Sequence, residues 1–234
     1  MGSEEIVPGV WAIPMAYVSA FAIADEGLTL IDSGLPNKVD TIRKGLAEAG
    51  GGQLRNIAVT HHHMDHVGGL AKLVAEPGVT VWAHAGDAGV IRGDVTPPRP
   101  PGRNVVERAG ISGFVRFGPK AAPARVDREV SDGEELPIGG GLIAYHTPGH
   151  TAGHLSFLMP SRRTLFVGDA AARMMGRLAP PLGIYTEDHE AVKRSIAKIA
   201  ALDFDVACFG HGRVLKGGGA AAFRRLAEKV ASKG

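Results

Sequence analysis

Between Thr60 and His66 the sequence runs Thr-His-His-His-Met-Asp-His, which sets four metal-ligand side chains, His61, His63, Asp65 and His66, within six residues. Imidazole nitrogen suits zinc and its late first-row neighbours, and a carboxylate adds charge and hardness. A histidine tract can also be a solvated, tag-like run, but such runs sit at termini. This one follows the apolar stretch Ile57-Ala58-Val59 and precedes Gly68-Gly69, the setting of a sharp strand-to-helix loop. Three more ligand-type residues follow short apolar runs and stand beside Gly or Pro: His150 after residues 142–145, Asp169 after 165–168, and His211 after 206–210. Residues that finish strands and enter loops are those a sheet can converge on one cleft. A lone histidine of this kind reads as a core or surface residue. Three strand-end residues beside the H-x-H-x-D-H run read as a site.

The motifs come in a definite order. Asp32 ends an early strand in Ile31-Asp32-Ser33-Gly34, H-x-H-x-D-H follows, and then come Thr147-Pro148-Gly149-His150-Thr151, Gly168-Asp169 and Gly210-His211-Gly212. In this order the chain resembles the metallo-β-lactamase superfamily of metal-dependent hydrolases, over nearly its whole length. The resemblance implies an α/β fold, a four-layered αββα sandwich, with residues 1–234 as a single domain. It implies His61, His63 and His150 as ligands of a first metal, Asp65, His66 and His211 as ligands of a second, and Asp169 as the bridging carboxylate. Asp32 would then orient a ligating histidine from outside the coordination shell, and His154 would support or build the site in a similar way.

The cofactor so implied is two divalent metal ions per chain, zinc foremost, with iron or manganese accepted by the same N/O ligands. The expected reaction is hydrolysis of an ester, lactone or thioester bond in a small molecule by a metal-bridging hydroxide, with Asp65 as the catalytic residue that moves its proton. Alternatives on the same scaffold are a mononuclear iron persulfide-type dioxygenase, which needs only His61, His150 and Asp169, a phosphodiesterase and a β-lactam hydrolase. Particular residues bear on the subfamily. Asp169 is absent from true β-lactamases of this superfamily. Ala172 stands where acyl-homoserine lactonases carry a tyrosine, and Met174-Met175-Gly176-Arg177 stands where glyoxalase II enzymes carry Cys-Gly-Arg. Neither Ser33 nor Ser156 has the G-x-S-x-G setting of a serine hydrolase.

Elements must position these groups. An apolar fraction of 44% in 234 residues supports a sizeable core, and 21% charged residues are ordinary for a soluble protein. The formal net charge of +2 comes without a Lys/Arg stripe, which excludes the footprint of a nucleic-acid binder. No apolar stretch reaches bilayer length and no basic, apolar leader is visible, so the expectation is a cytoplasmic protein with a small-molecule substrate, no nucleic acid and no membrane partner. A homodimer is compatible with the sequence. The single Cys208 reads as a buried structural thiol. Strands are expected over residues 10–13, 19–23, 28–31, 57–59, 79–83, 142–145, 155–158 and 165–167. Helices are expected over 37–49 and 70–75, after Thr186 and at the C-terminal end, with a Pro-rich loop across 94–123. Substrate choice would fall to loops: Tyr17, Phe21, Met174, Met175 and Leu182 as apolar walls, Arg173 and Arg177 as anion contacts, and the Pro-rich run 96–102.

Overall fold

Strands whose two faces are both apolar must be covered on both sides, and the longest strands in the first half of the chain are of this kind. In the computed structural model, which describes residues 2–98 and 120–232, seven strands form one sheet in sequence order: β1 (Glu4–Val7), β2 (Val10–Met15), β3 (Val18–Ala24), β4 (Leu28–Ile31), β5 (Leu54–Ala58), β6 (Thr80–His84) and β7 (Arg128–Val130). The first four pair antiparallel, and β4 to β7 pair parallel. Parallel neighbours need crossovers. These carry α1 (Val39–Glu48), the short turns α2 (Met64–Val67) and α3 (Leu70–Leu73), and α4 (Ala85–Arg92).

The second half supplies β8 (Glu135–Leu136), β9 (Leu142–His146), β10 (Leu155–Met159) and β11 (Thr164–Gly168). A hairpin follows, β12 (Ala172–Met174) with β13 (Arg177–Ala179), then α5 (His189–Ala200), β14 (Val206–Phe209), β15 (Leu215–Lys216) and α6 (Gly219–Ala231). The hairpin stands apart, and the other strands make a six-stranded sheet ordered β15-β14-β11-β10-β9-β8.

Three buried clusters separate four layers. Ile42 and Leu46 of α1 with Leu70 and Leu73 of α3 pack on Leu30, Ile57 and Val81 of the first sheet. Phe21, Ile23, Phe157 and Phe166 fill the space between the sheets. Ile196, Ile199, Phe223 and Leu226 cover the outer face of the second sheet over Leu165 and Phe209. The order is helix, sheet, sheet, helix, as the resemblance implies. Among the described residues no helix is long and apolar enough to cross a membrane.

Two differences from the expected elements have physical causes. Strands β1, β7 and β8 lack an apolar alternation of their own and carry Glu4, Glu5, Arg128, Glu129 and Glu135; pairing with β2, β6 and β9 makes them strands. The histidine motif turns helical early: His63 is the extended residue before α2, so Asp65 and His66 sit on a helical turn instead of an open loop. Within the expected Pro-rich loop, residues 94–98 and 120–123 are described, and residues 99–119 lie outside the described part of the chain.

Phe21 is a correction. It was expected on a substrate wall, but it is 3% exposed, with its ring 5.6 Å from that of Phe166. Alternation along β3 sends Ala20 and Ala22 to the helix layer and Phe21 and Ile23 to the opposing sheet. Replacing it, Phe21→Ala, should therefore cost about 3–5 kcal/mol of stability and leave KM unchanged. Denaturant unfolding beside a KM measurement checks this; a shifted KM at full stability would return Phe21 to the cavity wall.

Candidate metal centre

The site forms where strands of both sheets end. Asp32 follows β4, His61 and His63 follow β5, His150 lies between β9 and β10, Asp169 follows β11 and His211 follows β14. Asp32 holds a left-handed backbone, φ +59°, and both of its carboxylate oxygens are engaged. One oxygen accepts the Thr60 backbone N–H at 2.7 Å; the other accepts the Thr60 hydroxyl at 2.8 Å and lies 2.7 Å from His66 Nδ1.

These bonds decide which imidazole nitrogens are free. A carboxylate only accepts, so His66 Nδ1 carries a proton and its Nε2 is the atom turned toward the cluster. The one hydroxyl proton of Thr60 goes to Asp32, so Thr60 Oγ1, 3.0 Å from His61 Nδ1, must accept from it. His61 Nε2 is thereby free. In His211 the proton again sits on Nδ1, which donates to the Tyr17 carbonyl at 3.0 Å, while the Tyr17 ring stacks on the imidazole.

The freed atoms face one another. The trios His61–His63–His150, His61–His66–Asp169 and Asp65–His66–His211 each bring one ligand atom per residue within 4.8 Å of the others. Asp169 stands among them: Oδ2 is 3.4 Å from His150 Nε2 and 3.1 Å from His211 Nε2, and Oδ1 is 3.5 Å from His66 Nε2. Asp65 lies 3.4 Å from His211 Nε2. Gly210 permits this density, because a Cβ there would collide with Asp169 Oδ1 and the His66 ring.

Burial holds His61 and His63 well below the ordinary imidazole range and takes His150 down to about 3, so all three stay neutral. Burial opposes charge on His66 as well, yet the Asp169 and Asp32 carboxylates push it up to about 10. His61 Nε2, His66 Nε2, both His150 nitrogens and Asp169 Oδ1 are buried with no hydrogen-bond partner. Orphaned buried polar atoms are costly. A divalent cation fits these donors, imidazole nitrogens and a carboxylate that converge unsatisfied, and it would take the place of the proton that the carboxylates favour on His66.

Beneath the ligands run two supports. His154 Nε2 accepts the Asp169 backbone N–H at 2.8 Å, so its Nδ1–H donates to Thr147 Oγ1, also at 2.8 Å. Thr147 then donates to Ser156 Oγ, which donates to the Val167 carbonyl. His154 is thus built into the backing of Asp169. The second support, Asp87, went unseen in the sequence. It is 1% exposed and binds the His62 and Gly153 backbone N–H groups and the Thr151 hydroxyl, tying the histidine motif to the loop that carries His150. Its only signal was an acid in the first turn of a helix after a strand end. His62 turns towards Asp87, and His84 caps α4 by accepting the Gly86 N–H and stacks on His146.

A cleft of about 1410 Å³ opens over His63, Asp65, His150, Asp169 and His211, walled in part by Tyr17, Met174, Met175 and Leu182. Arg173 borders it, with Nη1 donating to the Val214 carbonyl. Arg177 does not border this cleft; strand pairing in the β12–β13 hairpin carries it to a groove on the other side.

A family model described as the metallo-beta-lactamase superfamily matches residues 14–211. The probable metallo-hydrolase YflN of Bacillus subtilis (strain 168) is 29% identical over 207 residues, covering 82% of this chain and 78% of that protein. A hydroxyacylglutathione hydrolase of Cereibacter sphaeroides is 30% identical over 202 residues, 82% of this chain but 61% of that longer protein. A solved subclass B3 metallo-beta-lactamase of Bradyrhizobium japonicum aligns over 100% of this chain and 93% of its own with a TM-score of 0.71 at 21% identity, a likeness of fold.

Removing the Asp32 carboxylate frees Thr60 and lets the His61 and His66 rings rotate. Asp32→Ala should weaken metal binding roughly 10–100-fold, the usual cost of losing a partner that orients a ligand. Competition with a chromophoric chelator measures it, and unchanged affinity would mean that the Asp32 bonds do not hold the ligands.

Proposed function

The chain belongs to the metallo-beta-lactamase superfamily of metal-dependent hydrolases, and from that premise we propose that it cleaves an ester, lactone or thioester bond in a small molecule, using two divalent cations with zinc foremost. One observation carries the acyl reading. The large hydrophobic side chains exposed among the described residues are Tyr17, Val95, Met174, Met175, Leu182 and Tyr185, and every one of them lines the cleft above the metal cluster. Apolar surface gathered in this way marks a binding site, and it suits a substrate with an apolar acyl body. The hydroxyacylglutathione hydrolases among the relatives support the thioester member of the set.

His61, His63 and His150 would hold one cation, Asp65, His66 and His211 the other, with the Asp169 carboxylate shared between them. When bound, such ions polarise a carbonyl and bring the pKa of water towards neutrality. The remaining chemistry belongs to the chain. Asp65 is half-buried at the cleft rim, where its carboxylate can take a proton from the attacking water and return it to the leaving group. Asp32, Thr60 and the Tyr17 carbonyl keep the lone pairs of three histidines aimed inward. The apolar walls exclude bulk water around the acyl group.

A panel of aryl esters, lactones, thioesters, phosphodiesters and β-lactams on metal-loaded protein tests the reading. Turnover of an acyl substrate, abolished by a chelator and restored by zinc or manganese, is expected. Cleavage of phosphodiesters alone, or oxygen consumption with a persulfide, would overturn it. In the same assay Asp169→Asn should lower the content of both metals and reduce turnover by orders of magnitude; two tightly held metals with near-normal turnover would remove Asp169 from the shared position.

A further inference from the structure

Five histidines supply the trios, and they are aimed in two ways. His61, His66 and His211 each have one ring nitrogen bonded to the protein, by Thr60 Oγ1, the Asp32 carboxylate and the Tyr17 carbonyl. His63 and His150 have no such bond. Both His150 nitrogens are buried without a partner, and the His63 ring forms no hydrogen bond among the described residues. The two rings lie 4.6 Å apart, and both residues belong to the trio His61–His63–His150 and to no other. A side chain without a bond of its own is aimed by its backbone, so whatever fixes the chain beside these two histidines fixes their direction.

One carboxylate holds the backbone beside both. Asp87, in the first turn of α4, accepts the N–H of His62, next to His63, at 2.9 Å. It also accepts the Thr151 hydroxyl and the Gly153 N–H, just past His150, each at 2.8 Å. The contact is close: a Cβ on Gly153 would collide with the Asp87 backbone nitrogen and carboxylate. A second tie starts from His84, the cap of α4. Its ring stacks on that of His146 at 4.0 Å, and His146 Nε2 donates to the Ala152 carbonyl at 2.8 Å. On the other flank the N–H groups of Glu187 and Asp188 donate to the Gly149 carbonyl, and the Ser195 hydroxyl of α5 to that of Pro148. His150 thus stands between an anchor from its own half of the chain and α4, from the half that carries His61 and His63.

The remaining ligands are fixed elsewhere. The Ser33 N–H and hydroxyl both donate to the His66 carbonyl, and the Ser19 N–H donates to the Gly210 carbonyl beside His211. The neck of the His150 loop is closed by the Thr147 N–H on the His154 carbonyl at 2.9 Å, so the backing of Asp169 does not run through the loop tip. We propose that Asp87 is a positioning residue for the trio His61–His63–His150 alone. Through His62, Thr151 and Gly153 it converges His63 and His150, so affinity for one cation runs through α4 and affinity for the other does not. The inference rests on the two-cation reading above.

Zinc affinity of the full chain, stripped of metal and titrated against a chromophoric chelator, tests it. A carboxamide keeps the volume of Asp87 but accepts at one oxygen only, so Asp87→Asn leaves at least one of the three donors unsatisfied. Wild type should show two classes of zinc site, and Asp87→Asn should weaken one of them about 10–100-fold, as for other partners that orient a ligand. The class is identified in two backgrounds. With His211→Ala, adding Asp87→Asn should weaken the zinc that remains by the same factor; with His63→Ala, it should change nothing. A merely loosened fold would weaken the remaining zinc in both backgrounds, and that result, or no effect with His211→Ala, overturns the assignment. If Asp87→Asn does not fold, Thr151→Val removes a single hydroxyl from the carboxylate and should show the same selectivity at smaller amplitude; equal loss in both backgrounds, or no loss with His211→Ala, again overturns it. If wild type takes up one cation only, the two-cation reading fails by itself. The positioning role then stands if that cation survives His211→Ala and weakens with Asp87→Asn, and falls otherwise.

Discussion

The candidate metal centre depends on one carboxylate held in an unfavourable backbone conformation. Asp32 sits at φ +59° at the end of β4, a region that non-glycine residues occupy at a cost and keep only where the surroundings over-determine them. Here Thr60 and His66 supply that constraint with three hydrogen bonds. Through Thr60 the carboxylate also sets the tautomer of His61. A single residue outside the three trios therefore orients a histidine in each of them, and it does so from within the first sheet.

The second sheet contributes the counterpart. Asp169 is backed through its own N–H by His154, and His154 by Thr147 and Ser156. Asp87 then joins the two halves by binding backbone of both ligand loops. The sandwich brings strand ends of two sheets to one edge, and these polar ties convert proximity into aim. Burial keeps His61, His63 and His150 neutral, the carboxylates around His66 favour its protonated form, and Asp65 and Asp169 bring negative charge to the cluster. On the two-cation reading, two carboxylates against two dications leave the cluster net positive, which is what a Lewis-acid centre needs.

The residues that cluster were legible because metal chemistry constrains residue type and spacing together, as in H-x-H-x-D-H, and because Asp169 and His211 follow apolar strands. The long strands and α1, α5 and α6 were legible for a similar reason: their periodicity reports burial. What was hidden depends on partners distant in sequence. Asp87 is one acid among many until folding sets it against Gly153, 66 positions away. Strands β1 and β8 are short and charged and exist through pairing. Phe21 was placed on a wall because aromatic residues near a site suggest one, although the alternation of β3 already pointed it into the inter-sheet core. Arg177 was placed with Arg173 at the large cleft, whereas the β12–β13 hairpin turns Arg177 away from it and leaves Arg173 alone of the two at its border; the hairpin's Met175-Gly176 turn lacks the Asn-Gly or Asp-Gly signal that would have revealed it.

The most direct measurement is the metal-to-protein ratio, by inductively coupled plasma mass spectrometry, of chain purified without chelator and loaded with excess zinc before desalting. Two trios of ligands around one shared carboxylate predict a ratio of about two. A ratio of about one, unchanged at higher zinc, would contradict the two-cation centre.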